Sequence, residues 1–184
     1  ATGEQLTAAL TAQAKKVEAI AGQIAAGTGW KYQGIDLTPV PLKDISIGAA
    51  FETLLHGEIG SPGSLSAAYT ITTAVKRVAV QQAGYSGLML PVLEDSVLAK
   101  RWEAGAITRD SLMSYSSVCS TGLDAIPLPG DVSLHDLESI IGDMASLAVK
   151  WHKPLSARLL PVKGKKAGDM TEFSSPYLAN IHIR

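Results

Sequence analysis

The sequence predicts an α/β fold of mostly parallel strands alternating with helices, and three observations carry that expectation. Segments with apolar residues at helical spacing alternate with short, nearly continuous apolar runs, the pattern of strands covered on both faces by helices. Carboxylates stand at the ends of these runs, as in Ile35-Asp36 and Leu93-Glu94-Asp95. No internal repeat or low-complexity linker divides the 184 residues, a length that suits one domain or part of a larger one.

In chain order, Leu6, Leu10, Val17, Ile20 and Ile24 predict an amphipathic helix from Gly3 to Ala26, ended by Gly27 and Gly29. Trp30 to Leu37 reads as a short strand with Asp36 at its C-terminal end, followed by Thr38-Pro39-Val40-Pro41. A second helix runs from Asp44, its expected cap, to His56, with Ile47, Phe51, Leu54 and Leu55 as its buried stripe. Gly60-Ser61-Pro62-Gly63-Ser64 turns the chain into a Thr- and Ala-rich helix from about Leu65 to Gln82.

Tyr85 to Leu93 reads as a strand ending in Glu94-Asp95, ahead of a helix carrying Trp102. Thr108 caps a helix through Tyr115 that delivers the chain to Cys119, and Leu123 to Leu128 is a further buried strand. Ser133 and Asp136 have capping-box spacing ahead of the clearest helical stripe, Leu134, Leu137, Ile140, Ile141, Met144, Leu147 and Ala148. Pro154 stops that helix, Leu155 to Val162 is the next strand, 164–169 is a charged loop, and Asn180 to Ile183 is a last extended piece. In parallel sheets ligands gather at the strands' C-terminal ends, so the rim is the expected site.

Composition narrows the function classes. Lys and Arg total 16 against 17 Asp and Glu, without long blocks of either sign, so no footprint for nucleic acid or an anionic membrane is present. No apolar run approaches the roughly 20 residues of a membrane span, and the N-terminus lacks signal-peptide order. With a single cysteine there is no internal disulfide, and a cytoplasmic address is the expectation. Apolar residues at 46% against 18% charged, and a start at Ala1, predict a piece of a larger folded unit whose missing strands come from an N-terminal half or a companion chain.

The stretch Val118 to Asp131 concentrates reactive groups where glycines and prolines turn the backbone. Cys119 is there a nucleophile or a small buried hydrophobe. Asp124 and Asp131, with Asp36, Glu94 and Asp95, either converge on one cleft to hold a cation or polar substrate, or serve as caps and turn residues. Gly60 to Ser64 offers backbone N–H groups to an anion or is a plain helix entry. Arg158 is a cation in an apolar strand, where it needs a carboxylate or ligand partner. Lys166 and its neighbours form a solvated loop or capture an anion. His56, His135, His152 and His182 are scattered without zinc-ligand spacing, so metal and cofactor are undetermined.

Residues 118–131, then Lys-Pro-Leu-Ser-Ala-Arg-Leu-Leu-Pro-Val, then Gly-Lys-Lys-Ala-Gly-Asp-Met-Thr-Glu-Phe, with Gly34 to Leu37 and Ser86 to Asp95, resemble one family. It is the uncharacterised family named domain of unknown function seven hundred and eleven. The resemblance implies the C-terminal half of a pyruvate formate-lyase-like α/β barrel in a homodimer. Radical enzymes of that fold carry a cysteine on an interior loop, which makes Cys119 the analogue, but no radical-glycine motif occurs here and shared fold is weak warrant for shared chemistry. Two functions follow. One is an enzyme acting on a small polar metabolite at the barrel rim, with Cys119 as nucleophile or thiol acid, Asp124 as base or cation ligand and Arg158 as anion clamp; Asp36, Ser64, Glu94, Asp95, Asp131 and Lys166 would contact the substrate. The other is a non-catalytic metabolite-binding or regulatory module.

Overall fold

The computed structural model describes residues 2–119 and 121–184. Ala1, on which the expectation of a larger unit partly rests, and Ser120, inside the 118–131 stretch, lie outside them. Among the described residues the elements run α1 (Thr2–Thr28), α2 (Ile47–Leu55), α3 (Ser64–Lys76), α4 (Ser96–Glu103), α5 (Arg109–Cys119), β1 (Gly122–Pro129), α6 (Leu134–Trp151) and β2 (Ser156–Val162). The fold is mixed α/β around one small sheet. None of the described helices is long and apolar enough to cross a membrane.

β1 and β2 pair in parallel, and α6 is the crossover that parallel pairing demands. Six consecutive residues of β1 are buried, whereas β2 is partly open to solvent. Gly122 opens β1 at φ 113°, and a Cβ there would overlap the Ser156 carbonyl oxygen, so only glycine lets the strands approach. The core joins β1 to Phe51, Ile59, Leu88, Leu93, Leu98 and Trp102.

Two predicted strands do not form. In the stretch from Trp30 to Leu37 only Ile35 bridges, to Gln82, with its N–H donating to the Gln81 carbonyl at 2.9 Å. Gly34, at φ 126°, packs against the Gln81–Gln82 backbone, and Pro39 and Pro41 beyond it have no N–H to extend a ladder. Tyr85 to Leu93 is buried as expected yet irregular. It lies beside β1 through a Val92 N–H to Asp124 carbonyl bond of 3.3 Å and a Thr121 hydroxyl bond to the Leu88 carbonyl. Gly84 and Ser86 at positive φ, and Pro91 without an N–H, prevent a regular ladder. The last extended piece reduces to a Met170–His182 bridge that buries Ile181 and Ile183.

Helix ends also differ from the sequence reading. Ser46, not Asp44, caps α2, its hydroxyl accepting from the Ala49 N–H at 2.8 Å. α3 stops at Lys76 because Gln82 folds back, its amide donating to the Val75 and Val78 carbonyls. α5 starts just after Thr108, which accepts from the Ser111 N–H at 3.2 Å, and continues to Cys119. The Ser133 cap of α6 is present, with the Asp136 N–H donating at 3.0 Å. Its apolar stripe is only partly covered: Ile140 and Met144 are buried, while Leu134, Ile141 and Val149 are exposed. Val17, Ile20 and Ile24 leave a similar apolar face on α1.

Asp95 joins two helix starts. Fully buried, it accepts from the Val97 and Leu98 N–H groups as the N-cap of α4, at 2.9 and 3.0 Å. It also accepts from the Gly48 N–H and the Ser46 hydroxyl at the start of α2, at 3.1 and 2.7 Å. Arg101 of α4 reinforces the joint by pairing with Glu52 at 2.7 Å and Glu58 at 2.9 Å. Replacing Asp95 by Ala strands buried donors at both helices, so urea denaturation of Asp95→Ala is expected to show a loss of about 3 kcal/mol.

Candidate functional site

The register of the strand pair slips once. Leu123 faces Ala157 and Ile126 faces Leu159, so Asp124 and Ala125 together stand opposite Arg158. This is a β-bulge, and Ala125 takes its extra residue at φ 49°, a strained conformation for a side chain with a Cβ. Bulges re-aim side chains, and here the result is an ion pair across the irregularity: the Arg158 Nε–H donates to Asp124 Oδ1.

Arg158 is shared. Its two Nη groups donate to both oxygens of Glu94 at 2.8 and 2.9 Å, a bidentate fork that brings the end of the Tyr85–Leu93 segment onto β2. Exposure is graded, with the Asp124 side chain 3% exposed, Glu94 23% and Arg158 53%, so the arginine forms the outer lid of a buried carboxyl. Asp124 Oδ2 is buried and has no hydrogen-bond partner among the described residues. Burial pushes the Asp124 pKa above the ordinary carboxylate value, the Arg158 pairing works against this, and the nearby Glu94 charge adds to the rise. Hydrogen bonds to Asp124 and Glu94 push the Arg158 pKa still higher, so the guanidinium stays charged. The arrangement is an acid held toward its neutral form beneath a fixed cation, capable of giving or taking a proton.

The other predicted site residues are dispersed. The four carboxylates Asp36, Glu94, Asp95 and Asp124 do not share one cleft: Glu94 and Asp124 meet on Arg158, and Asp95 is consumed as a double cap. Asp36 accepts from the Thr38, Tyr85 and Ser86 N–H groups and from the Thr38 hydroxyl, in the turn before the Leu88 segment. Partial burial of Asp36 pushes its pKa up, but those bonds outweigh it and hold the carboxyl below its usual range. Ser64 is buried inside the entry to α3, donating to the Ser61 carbonyl at 2.7 Å and accepting from the Gly60 N–H at 3.0 Å, so its hydroxyl closes the turn. Asp131 and Lys166 are exposed in the turns after β1 and β2, where the Lys166 N–H donates to Asp169 at 2.7 Å.

Cys119 is not on a loop. It ends α5, is 2% exposed, and lies 3.3 Å from the Thr121 hydroxyl. The fold also partly buries a basic group that the sequence reading passed over, Lys153, whose ammonium donates to the Tyr85 carbonyl at 2.7 Å. Lys153 directly precedes Pro154 at a helix stop, which reads as punctuation and hides the residue. Among the described residues no group of three or more His, Cys, Asp and Glu side chains is arranged to hold a metal ion. A cavity of about 650 Å³ between α1, α2 and α3 is lined mainly by apolar residues such as Leu6, Leu10, Ile47 and Val75 and holds none of the predicted site residues.

Residues 1–174 match the family described as Uncharacterised ACR (DUF711). A UPF0210 protein of Pyrobaculum arsenaticum is 36% identical over 166 residues, 87% of this chain and 37% of the relative. A UPF0210 protein of Methanocaldococcus jannaschii is 33% identical over 162 residues, 85% of this chain and 35% of the relative. One from Desulforudis audaxviator is 35% identical over 143 residues, 76% and 32% respectively. The chain therefore spans about a third of the length of these curated relatives.

Asp124 has a stability signature. Its pKa in the folded chain is raised above the ordinary 3.8, so its contribution is full below 3.8 and is lost as pH rises through the raised value. Asp124→Asn removes that loss. Urea midpoints measured across pH are expected to show the variant gaining on the wild type from pH 3.8 upward, with the difference levelling once Asp124 is fully ionised.

Proposed function

The chain belongs to the Uncharacterised ACR (DUF711) family, and from that premise we propose that it supplies the acid–base part of an enzyme acting on a small polar metabolite. The observation that carries this reading is the buried Asp124 carboxyl, its Oδ2 unpartnered among the described residues, at a bulge held open by a strained Ala125. Strain and an unsatisfied buried acid are both costly, and they concentrate where structure serves chemistry. Arg158 gives three of its N–H groups to carboxylates, and its outward side meets an anionic group of the metabolite. Asp124 then exchanges the proton. Cys119, buried in the core, is assigned to packing and not to the reaction.

The wider reading follows the family resemblance. The chain forms a C-terminal part of a pyruvate formate-lyase-like barrel in a cytoplasmic homodimer, and the rest of that unit covers the apolar faces of α1 and α6. Support comes from the exposure of Ile20, Ile24, Leu134 and Val149 and from the solvent-facing residues of β2, since parallel strands are normally covered on both faces. A second reading, metabolite binding without turnover, is favoured by one observation: Glu94 already occupies Arg158 with both oxygens.

Incubating the intact protein that carries this chain with a mixture of cellular metabolites, followed by mass spectrometry, tests the proposal. The wild type is expected to consume a metabolite, Asp124→Asn to slow this by about 10²- to 10⁴-fold, and Arg158→Lys mainly to raise KM. Turnover undiminished in Asp124→Asn removes Asp124 from the chemistry, while a metabolite retained but unconverted favours the binding module.

A further inference from the structure

Arg158 has no positive charge to spare. Two carboxyl groups, Asp124 and Glu94, share its one guanidinium, so an anion added to the site would find no uncompensated cation. An anion that reaches Arg158 therefore does so by exchange with a carboxylate already there. Asp124 is not exchangeable, because it is built into β1 and its side chain is 3% exposed.

Glu94 has the opposite character. Its backbone is pinned on both sides, the N–H donating to the Pro91 carbonyl at 3.1 Å and the carbonyl accepting from the Lys43 N–H at 2.8 Å. The side chain can therefore swing by rotation about its own χ angles without disturbing the buried cap Asp95 that follows. Arg158 is half-exposed, and an ion pair this open to water contributes little net stability. When Glu94 leaves, the Arg158 Nε–H still donates to Asp124 Oδ1, so the two Nη groups keep their orientation.

We propose that Glu94 is a resident stand-in for a substrate carboxylate, which displaces it and takes the same two N–H bonds from Arg158. This deepens the reading of the site given above and rests on Arg158 as its anion clamp. Two features select a carboxylate over a phosphate. The fork holds both oxygens of a planar carboxylate, at 2.8 and 2.9 Å. Exchanging one monoanion for another also leaves the charge beside Asp124 unchanged, whereas a phosphomonoester of about −1.5 to −2 adds to it. Glu94 then sets a threshold for binding, since apparent affinity scales with the fraction of time the fork is free.

Acetate is the probe, and saturation-transfer NMR on the intact protein carrying this chain measures its binding without turnover, at constant ionic strength with chloride as the balancing ion. Acetate is expected to bind saturably and more tightly than inorganic phosphate. Glu94→Gln keeps the bulk and removes the charge, and should tighten acetate about two- to sixfold, the factor by which an exposed ion pair keeps the fork occupied. The same charge change at the exposed Glu138 of α6, Glu138→Gln, should leave acetate affinity unaltered. Arg158→Lys retains the charge without the fork and should weaken acetate about fivefold or more, and Arg158→Met should abolish binding. Thermal unfolding reports whether each variant is folded, and Arg158→Lys decides the matter if Arg158→Met is not. Acetate affinity unchanged or lower in Glu94→Gln, or undiminished in the folded Arg158 variants, overturns the exchange, and phosphate binding tighter than acetate overturns the carboxylate class. Turnover is not the readout, so these outcomes stand apart from whether Asp124 exchanges a proton.

Discussion

Placing a carboxylate inside a parallel strand pair is unfavourable unless something compensates for the lost water, and the centre of this fold is built around how Asp124 meets that requirement. The compensation is partial. Arg158 approaches from the facing strand, but it is also held by Glu94 and stands at the surface, so it neutralises Asp124 from one side only. The ion pair in turn fixes three segments to one another: β1 through Asp124, β2 through Arg158, and the irregular Leu88–Leu93 segment through Glu94. A smooth ladder would not put these groups together, because regular pairing has no extra residue to turn toward the partner strand.

Asp95 solves a similar problem by the opposite means. It is as buried as Asp124, yet it accepts four hydrogen bonds from two helix starts. The contrast separates the two acids physically. A carboxylate surrounded by donors is a structural joint, and a carboxylate with one cation and an oxygen unpartnered among the described residues keeps acceptor capacity to spare.

Much of this was readable in the amino-acid order and some of it was not. The Ser133 cap, α6, and the strands at Leu123–Leu128 and Leu155–Val162 follow from local chemistry, since a cap residue and an apolar period need no distant partner. Arg158 was also legible, because a guanidinium in an apolar strand demands a counter-charge, and Asp124 and Glu94 provide it. The bulge was hidden: Gly or Asn at positive φ would have marked it, but the position is Ala125. The strands expected at Trp30–Leu37 and Tyr85–Leu93 failed because apolar content describes burial, whereas a ladder also requires N–H groups and extended angles that Pro91, Gly84 and Ser86 deny. Asp36, expected to end a strand, instead follows a single bridge at Ile35 and is held by the Thr38, Tyr85 and Ser86 N–H groups.

The parallel pairing of β1 and β2 has a consequence for how the chain reaches its native state. Every residue of α6 lies between the paired strands, so the ends of a long segment must be brought together before the first ladder bond forms. A capped helix shortens that distance by gathering the intervening residues into a compact rod, and the same helix then shields one face of the strands it connects. Late ladder formation leaves the largely apolar β1 strand uncovered during the search, and its two prolines, Pro127 and Pro129, limit its pairing with other chains in that interval.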